Sequence, residues 1–330
     1  MANDHYVPQF YLRGFQAAPG KIWLYERGKQ PRLRGIRSVA SEDNYYTLKT
    51  NMAGVEKDKL DKIFQDLESG AAPILQHLKT ASTIDLCPDD RELLSMFIAT
   101  LSNRIPYQKE RLMNLHSSSQ KELLKLFAGN KETYYEYARD EGLTDPEEIE
   151  KSRLLAFDDS ISLEYEPNSA SDYFLGQALE LAELITPFIL QKHWHLLESK
   201  TSRVFVTSDN PVVLMPGESH NPRMGIGIEN GLIAMPVSPT RSLFLSNRQG
   251  RSDLIRISRE AVIGVNQWTI LRAHTQVFAN LKSEDIKTAF NNTTQGHNTK
   301  VVVTGGLTKE DFEGRKSDFE GRKSKPPGPQ

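Results

Sequence analysis

Arg203-Val204-Phe205-Val206-Thr207-Ser208-Asp209-Asn210-Pro211-Val212-Val213-Leu214 is the stretch at which this chain changes character. Two apolar, β-branched runs flank a polar tetrad; such runs suit a pleated, half-buried surface, whereas Asp-Asn-Pro is turn chemistry. Arg203 to Thr207 and Val212 to Met215 thus read as short strands, as do Trp194 to Glu198, Leu232 to Val237 and Ser242 to Ser246, with Gly, Pro and Asn between them. Upstream the period is helical. Leu60, Ile63, Phe64, Leu67, Ala71, Ile74, Leu75 and Leu78 predict an amphipathic helix over about 56–79, bent at Gly70 and Pro73. A second helix is predicted from Pro88, with Leu93, Leu94, Phe97 and Leu101 inward and Pro106 at its end. Further helices are expected at Glu110–Phe127, Glu132–Arg139, Pro146–Leu155 and Asp172–Gln191.

These readings give an α+β fold, a helix-rich N-terminal and middle region packed against a small mixed or antiparallel sheet. Residues 1–305 are expected to form one domain, with a helical subregion at about 56–190 and a β-rich subregion at about 191–256. Ile257 to Leu281 reads as a helix and Lys300 to Thr304 as a last strand. Residues 311–317 recur unchanged as 318–324, and 306–330 is expected to be a mobile tail.

The chain has 330 residues, 38% hydrophobic and 25% charged, and no apolar run near the length of a membrane span is expected in it; a soluble protein without membrane association is expected. A single cysteine, Cys87, excludes an intrachain disulfide and a multi-cysteine zinc site, and a reducing, cytoplasmic setting is expected. Cys87 itself reads as a buried, inert thiol. A formal net charge of −2 argues against a general nucleic-acid coat but leaves room for a local basic groove. Arg27, Lys29, Arg32, Arg34 and Arg37, opposed only by Glu26, are the candidate: a solvated hairpin, or contacts to phosphates.

The N-terminal block His5-Tyr6-Val7-Pro8-Gln9-Phe10-Tyr11-Leu12-Arg13-Gly14-Phe15 is denser than an idle terminus needs to be. Pro8 suits the first position of a helix, which puts His5 just ahead of it and Gln9 and Arg13 together on one face. Arg104, three residues after Leu101, projects from near an apolar stripe, where a guanidinium requires a carboxylate or phosphate partner. Ser208, Asp209 and Asn210 fall at a strand end, and Pro211 keeps Asn210 out of helical geometry. Asp209 there is open to metal binding, to orienting a histidine or to general-base work, and Asn210 to oxyanion donation. The plainer reading is an Asx turn.

Together the N-terminal block, Phe205 to Pro211, Arg104-Ile105-Pro106, Pro236-Val237-Ser238-Pro239 and Asn266 through Ala273 resemble the bacterial DUF4238 family, over roughly residues 3 to 280. That resemblance implies one shared pocket for His5, Arg13, Arg104, Asp209 and Asn266, and it supplies no reaction. His5 and Asp209, with His193 or His195 as a third ligand, would suit a divalent metal, although no compact ligand motif is present. Glycine-framed serine elbows, phosphate-binding glycine loops and dinucleotide fingerprints are absent too. His77, His116, His220, His274 and His297 read as structural or exposed.

Three functions remain open at this stage. In the first, a nuclease-like hydrolase of phosphodiester or nucleotide substrates uses His5, Asp209 and Asn210 for chemistry and Gln9, Arg13, Arg104, Ser208 and Asn266 for binding. In the second, the same cations bind nucleic acid or a phosphorylated ligand without turnover. In the third, His5, Arg13, Arg104 and Asp209 form a buried ion-pair network that fixes the helix against the sheet in an interaction module.

Overall fold

The computed structural model describes residues 3–48, 58–158, 160, 167–217, 227–248 and 253–293. Strand β1 (Asn3–His5) leads into helix α1 (Gln9–Leu12) and a 3-10 turn, Arg13–Phe15. Pro8 stays extended, with ψ 138, and stands just before the helix rather than at its first position. Strands β2 (Lys21–Tyr25) and β3 (Arg32–Gly35) make the expected hairpin, and β4 (Ser41–Asp43) pairs antiparallel with β1. The helices follow: α2 (Lys59–Leu78), α3 (Pro88–Asn103), α4 (Pro106–Gly129), α5 (Lys131–Asp140), α6 (Pro146–Leu155) and α7 (Pro167–Leu190). Then come β5 (His193–Ser199), β6 (Thr207–Ser208), β7 (Val213–Met215), β8 (Leu232–Ser238), β9 (Arg241–Ser246), β10 (Leu254–Ile257), α8 (Arg259–Arg272), β11 (Val277–Ala279) and α9 (Glu284–Asn292). The fold is α+β.

The described chain divides into two compact units. One is built from the residues up to Glu110 together with α7 onward; the other runs from Arg111 through α6. The second unit closes on its own contacts, which is why it separates. Buried Arg153 donates to the Ala128 carbonyl at 2.7 Å and pairs with Glu150, and Phe127 packs against Tyr134 and Tyr137.

In the first unit, a five-stranded sheet runs β10-β5-β9-β8-β7, parallel only between β10 and β5, and a four-stranded sheet runs β3-β2-β11-β6. Helix α8 lies between their cores: Val262 and Val265 pack with Leu197, Phe205 and Val213, and Ile270 packs with Tyr25, Val277 and Phe290. Cross-strand partners share a face, so Ile22, Leu24, Phe278 and Thr207 look the other way. Onto that side comes the N-terminal block. The Tyr11 hydroxyl lies 2.8 Å from Thr207 Oγ1 and donates to the Pro236 carbonyl at 2.6 Å. Gly14 is required by this approach, since a Cβ there would stand 2.7 Å from the Val237 carbonyl oxygen. Gly70 likewise marks close helix packing, its Cβ position 2.7 Å from Leu93 Cδ1.

Several expectations are corrected. The apolar run from Ile257 to Leu281 is a strand end, a helix and another strand, because the chain turns extended at Ala273 (ψ 134) and Val277 to Ala279 pair between β2 and β6. Arg203 to Thr207 is a strand only at Thr207. Further back, the backbone at Val204 and Val206 bonds to a side chain instead of a neighbouring strand. Cys87 is exposed, its sulfur accepting the Asp90 N–H at the start of α3, so it is not a buried thiol. His195 is buried on β5, whereas His193 is exposed. Ser171–Leu190 in α7 proves long and apolar enough to cross a membrane by length and composition, but Phe174, Leu175, Ala178, Ala182 and Ile189 are buried within the protein. The strand at 300–304 and the duplicated tail lie outside the described residues.

Candidate functional site

The structure does bring the N-terminal block to the turn at Ser208 to Asn210, but it aims His5 and Asp209 at different surroundings. Asp209 is 2% exposed. Its Oδ1 accepts the His274 N–H at 2.8 Å, and its Oδ2 accepts the N–H groups of Thr275 and Gln276 and the Thr275 hydroxyl at 2.6, 2.8 and 2.9 Å. Asn210 Nδ2 donates to the Arg272 carbonyl at 3.0 Å, and Arg27 donates to the carbonyls of His274 and Ala273. The segment from α8 to β11 therefore has its N–H and C=O groups answered by side chains, as a buried non-repetitive backbone requires. Burial pushes the Asp209 carboxyl above the usual range, against the pull of the His274 and Thr275 N–H groups.

The neighbouring candidates are equally committed. Ser208 Oγ donates to the Asn210 carbonyl at 2.9 Å and accepts its N–H at 3.1 Å, which folds the hydroxyl into its own turn. Asn266, on α8, donates to the Val204 carbonyl at 2.8 Å and accepts the Val206 N–H at 3.0 Å, so one amide replaces a strand partner. A path of hydrogen bonds links this node to the N-terminus: Asp209 with Gln276, the Gln276 amide oxygen with the Ala40 N–H, and the Ala40 carbonyl with the Tyr6 N–H.

His5 is the neighbour of Tyr6, where that path ends. It is half-buried, with Nε2 3.4 Å from the Ile36 carbonyl and Nδ1 3.5 Å from Gln9 Nε2. Arg13 reaches the Gln9 amide oxygen at 3.5 Å, so His5, Gln9 and Arg13 stand in a row at steps of four residues, and Arg13 is exposed. Burial holds the imidazole below its ordinary value of 6.5, against the charges of Glu68 and Asp4. Asp209 instead acts on Tyr6, whose hydroxyl it helps to push up.

Arg104 is 1% exposed and finds the carboxylate its placement demands in Glu68, at 2.5 Å. The guanidinium lies over the rings of Phe64 and Tyr46, at 5.0 and 5.5 Å, and Tyr46 in turn donates through its hydroxyl to the His5 carbonyl. Glu68 was missed in the sequence, although it stands four residues after Phe64 on the inward stripe of α2, where a carboxylate is out of place without a cation. Arg27 was read with the basic stretch, but it is built into the Asp209 node. Lys29 and Arg32 pair with Glu26. Of that stretch Arg34 and Arg37 remain exposed, without a carboxylate partner among the described residues.

Among the described residues no three His, Cys, Asp or Glu gather into a metal-binding set. Asp209, proposed from sequence as a ligand, has both oxygens occupied by donors and does not fit that role. What the fold and this geometry define is an α+β protein with a buried, hydrogen-bonded turn at Asp209 and a half-buried histidine at His5. A family model described as a protein of unknown function, DUF4238, matches residues 3–283, and the chain belongs to that family. No curated protein and no solved structure matches the chain.

Proposed function

We propose that the chain is a hydrolase of phosphodiester or nucleotide substrates, working at the face formed by His5, Gln9 and Arg13. His5 is the proton-transfer group, and Gln9 with Arg13 holds the anionic group of the substrate. The observation that carries this reading is the half-buried imidazole in line with an amide and an exposed guanidinium, its pKa lowered by burial. Asp209, Asn210, Ser208 and Asn266 support it from behind by fixing the loops. Arg104 acts at a distance, through Glu68 and Tyr46.

Binding of a phosphorylated ligand or nucleic acid without turnover is the second reading. It is favoured by one fact: the carboxylate acting on His5 from α2, Glu68, is already tied to Arg104. The two separate in one assay series, with bis(4-nitrophenyl) phosphate and a fluorescent single-stranded oligonucleotide as probes. For the hydrolase, H5A abolishes turnover while R13A weakens binding about tenfold. Wild-type binding without turnover selects the second reading, and neither binding nor turnover overturns both.

A further inference from the structure

Away from that site, α7 carries an apolar band whose side chains are exposed among the described residues. Leu184 is 67% exposed and Phe188 40%, and Leu181 continues the band along the helix. Single exposed apolar residues are ordinary, but several aligned on one helix mark a surface that another molecule covers. Gln177, Leu181, Leu184 and Phe188 follow one another at steps of four, three and four residues. That is the stepping of a seam between two helices. The charge is one-sided. At 100° per residue, Glu180 and Glu183 fall together along one flank of the band, with Gln177 donating to Glu180 at 2.7 Å. A second copy laid antiparallel about a two-fold axis would set this acidic flank beside its own counterpart, a like-charge contact that disfavours self-pairing. The flank is equally unfavourable to the anionic surface of a bilayer.

We propose that the outer face of α7 is a docking site for an amphipathic helix rich in Lys and Arg, supplied by a partner protein. Leu181, Leu184 and Phe188 receive its apolar side, and Glu180 and Glu183 its cations. The proposal is independent of the chemistry assigned to His5.

The test uses the full chain and two synthetic helical peptides of about 18 residues. Both carry Leu at steps of three and four; one is flanked by Lys and the other by Glu. Fluorescence anisotropy should show the Lys peptide binding at least about tenfold more tightly than the Glu peptide. L184D, at a site exposed enough to leave the fold intact by circular dichroism, should weaken it by about tenfold or more. E180K with E183K should reverse the preference between the peptides. The proposal is overturned by no binding of the Lys peptide, by equal binding of both peptides, or by binding indifferent to L184D. It is equally overturned if sedimentation shows a dimer that L184D dissolves, or if the wild-type chain floats with phosphatidylcholine vesicles and L184D does not.

Discussion

Asp209 and His5 belong to the two densest motifs of the chain, and the structure treats them in opposite ways. Asp209 and its nearest polar neighbours are held by many short hydrogen bonds, with four donors on the carboxylate, the Ser208 hydroxyl closed on Asn210 and the Asn266 amide spent on Val204 and Val206, while Arg27 Nε, Arg272 Nε and His274 Nδ1 beside them are buried without a hydrogen-bond partner among the described residues. Around His5 the contacts are long, at 3.4 and 3.5 Å, and lead to an exposed arginine. Short, saturated bonds make an anchor. Long bonds at a half-open edge leave an imidazole able to change partners, which a catalytic or binding group needs. A motif dense in polar residues thus has two uses, and the number of polar atoms already satisfied tells them apart.

Substitutions ranked by expected cost test that contrast. Asp209→Ala strips the His274, Thr275 and Gln276 N–H groups of their acceptor and should lower unfolding free energy by about 3–5 kcal/mol in urea titration. A wild-type midpoint would return Asp209 to the catalytic candidates. Asn266→Ala removes the bridge to Val204 and Val206, and about 2 kcal/mol should go with it. Gly14→Ala drives a Cβ against the Val237 carbonyl, a backbone atom that cannot swing aside, and a loss of about 1–2 kcal/mol is expected in the same titration. His5→Gln should change stability by less than about 0.5 kcal/mol at pH 7.5. A large loss there would make His5 a second anchor and erase the distinction.

The same histidine has a pH signature. Its folded pKa lies below 6.5, so the unfolded chain takes up the proton first as the solution is acidified. Wild-type stability should fall as pH drops through 6.5 and stop responding to this group below the folded pKa. His5→Gln should lack that component, and NMR titration of the imidazole should place its midpoint under 6.5.

Much of the fold was legible from periodicity. The stripe from Leu60 to Leu78, the start of α3 at Pro88 and the short strands after Trp194 follow from one-dimensional patterns, because each element must bury one face. Arg104 disclosed even its need for an anionic partner, a carboxylate or a phosphate. Ile257 to Leu281 misled, because a continuous apolar run looks alike whether it is one helix or a helix followed by a central strand; only β2 and β6 on either side of β11 settle it. Asp-Asn-Pro was ambiguous for a related reason. Turn chemistry and active-site chemistry draw on the same residue types, and what distinguishes them is the Thr275 and Gln276 backbone, more than sixty residues away.

From its residues alone, then, the chain determined most of the segments that coil into helices or extend, and that Arg104 is too polar for its apolar setting to stand without anionic partners. Tertiary structure decided who those partners are. Local pattern reflects the burial of one face, which a single element senses by itself, whereas the pairing of a buried charge depends on a distant backbone that only folding brings within reach.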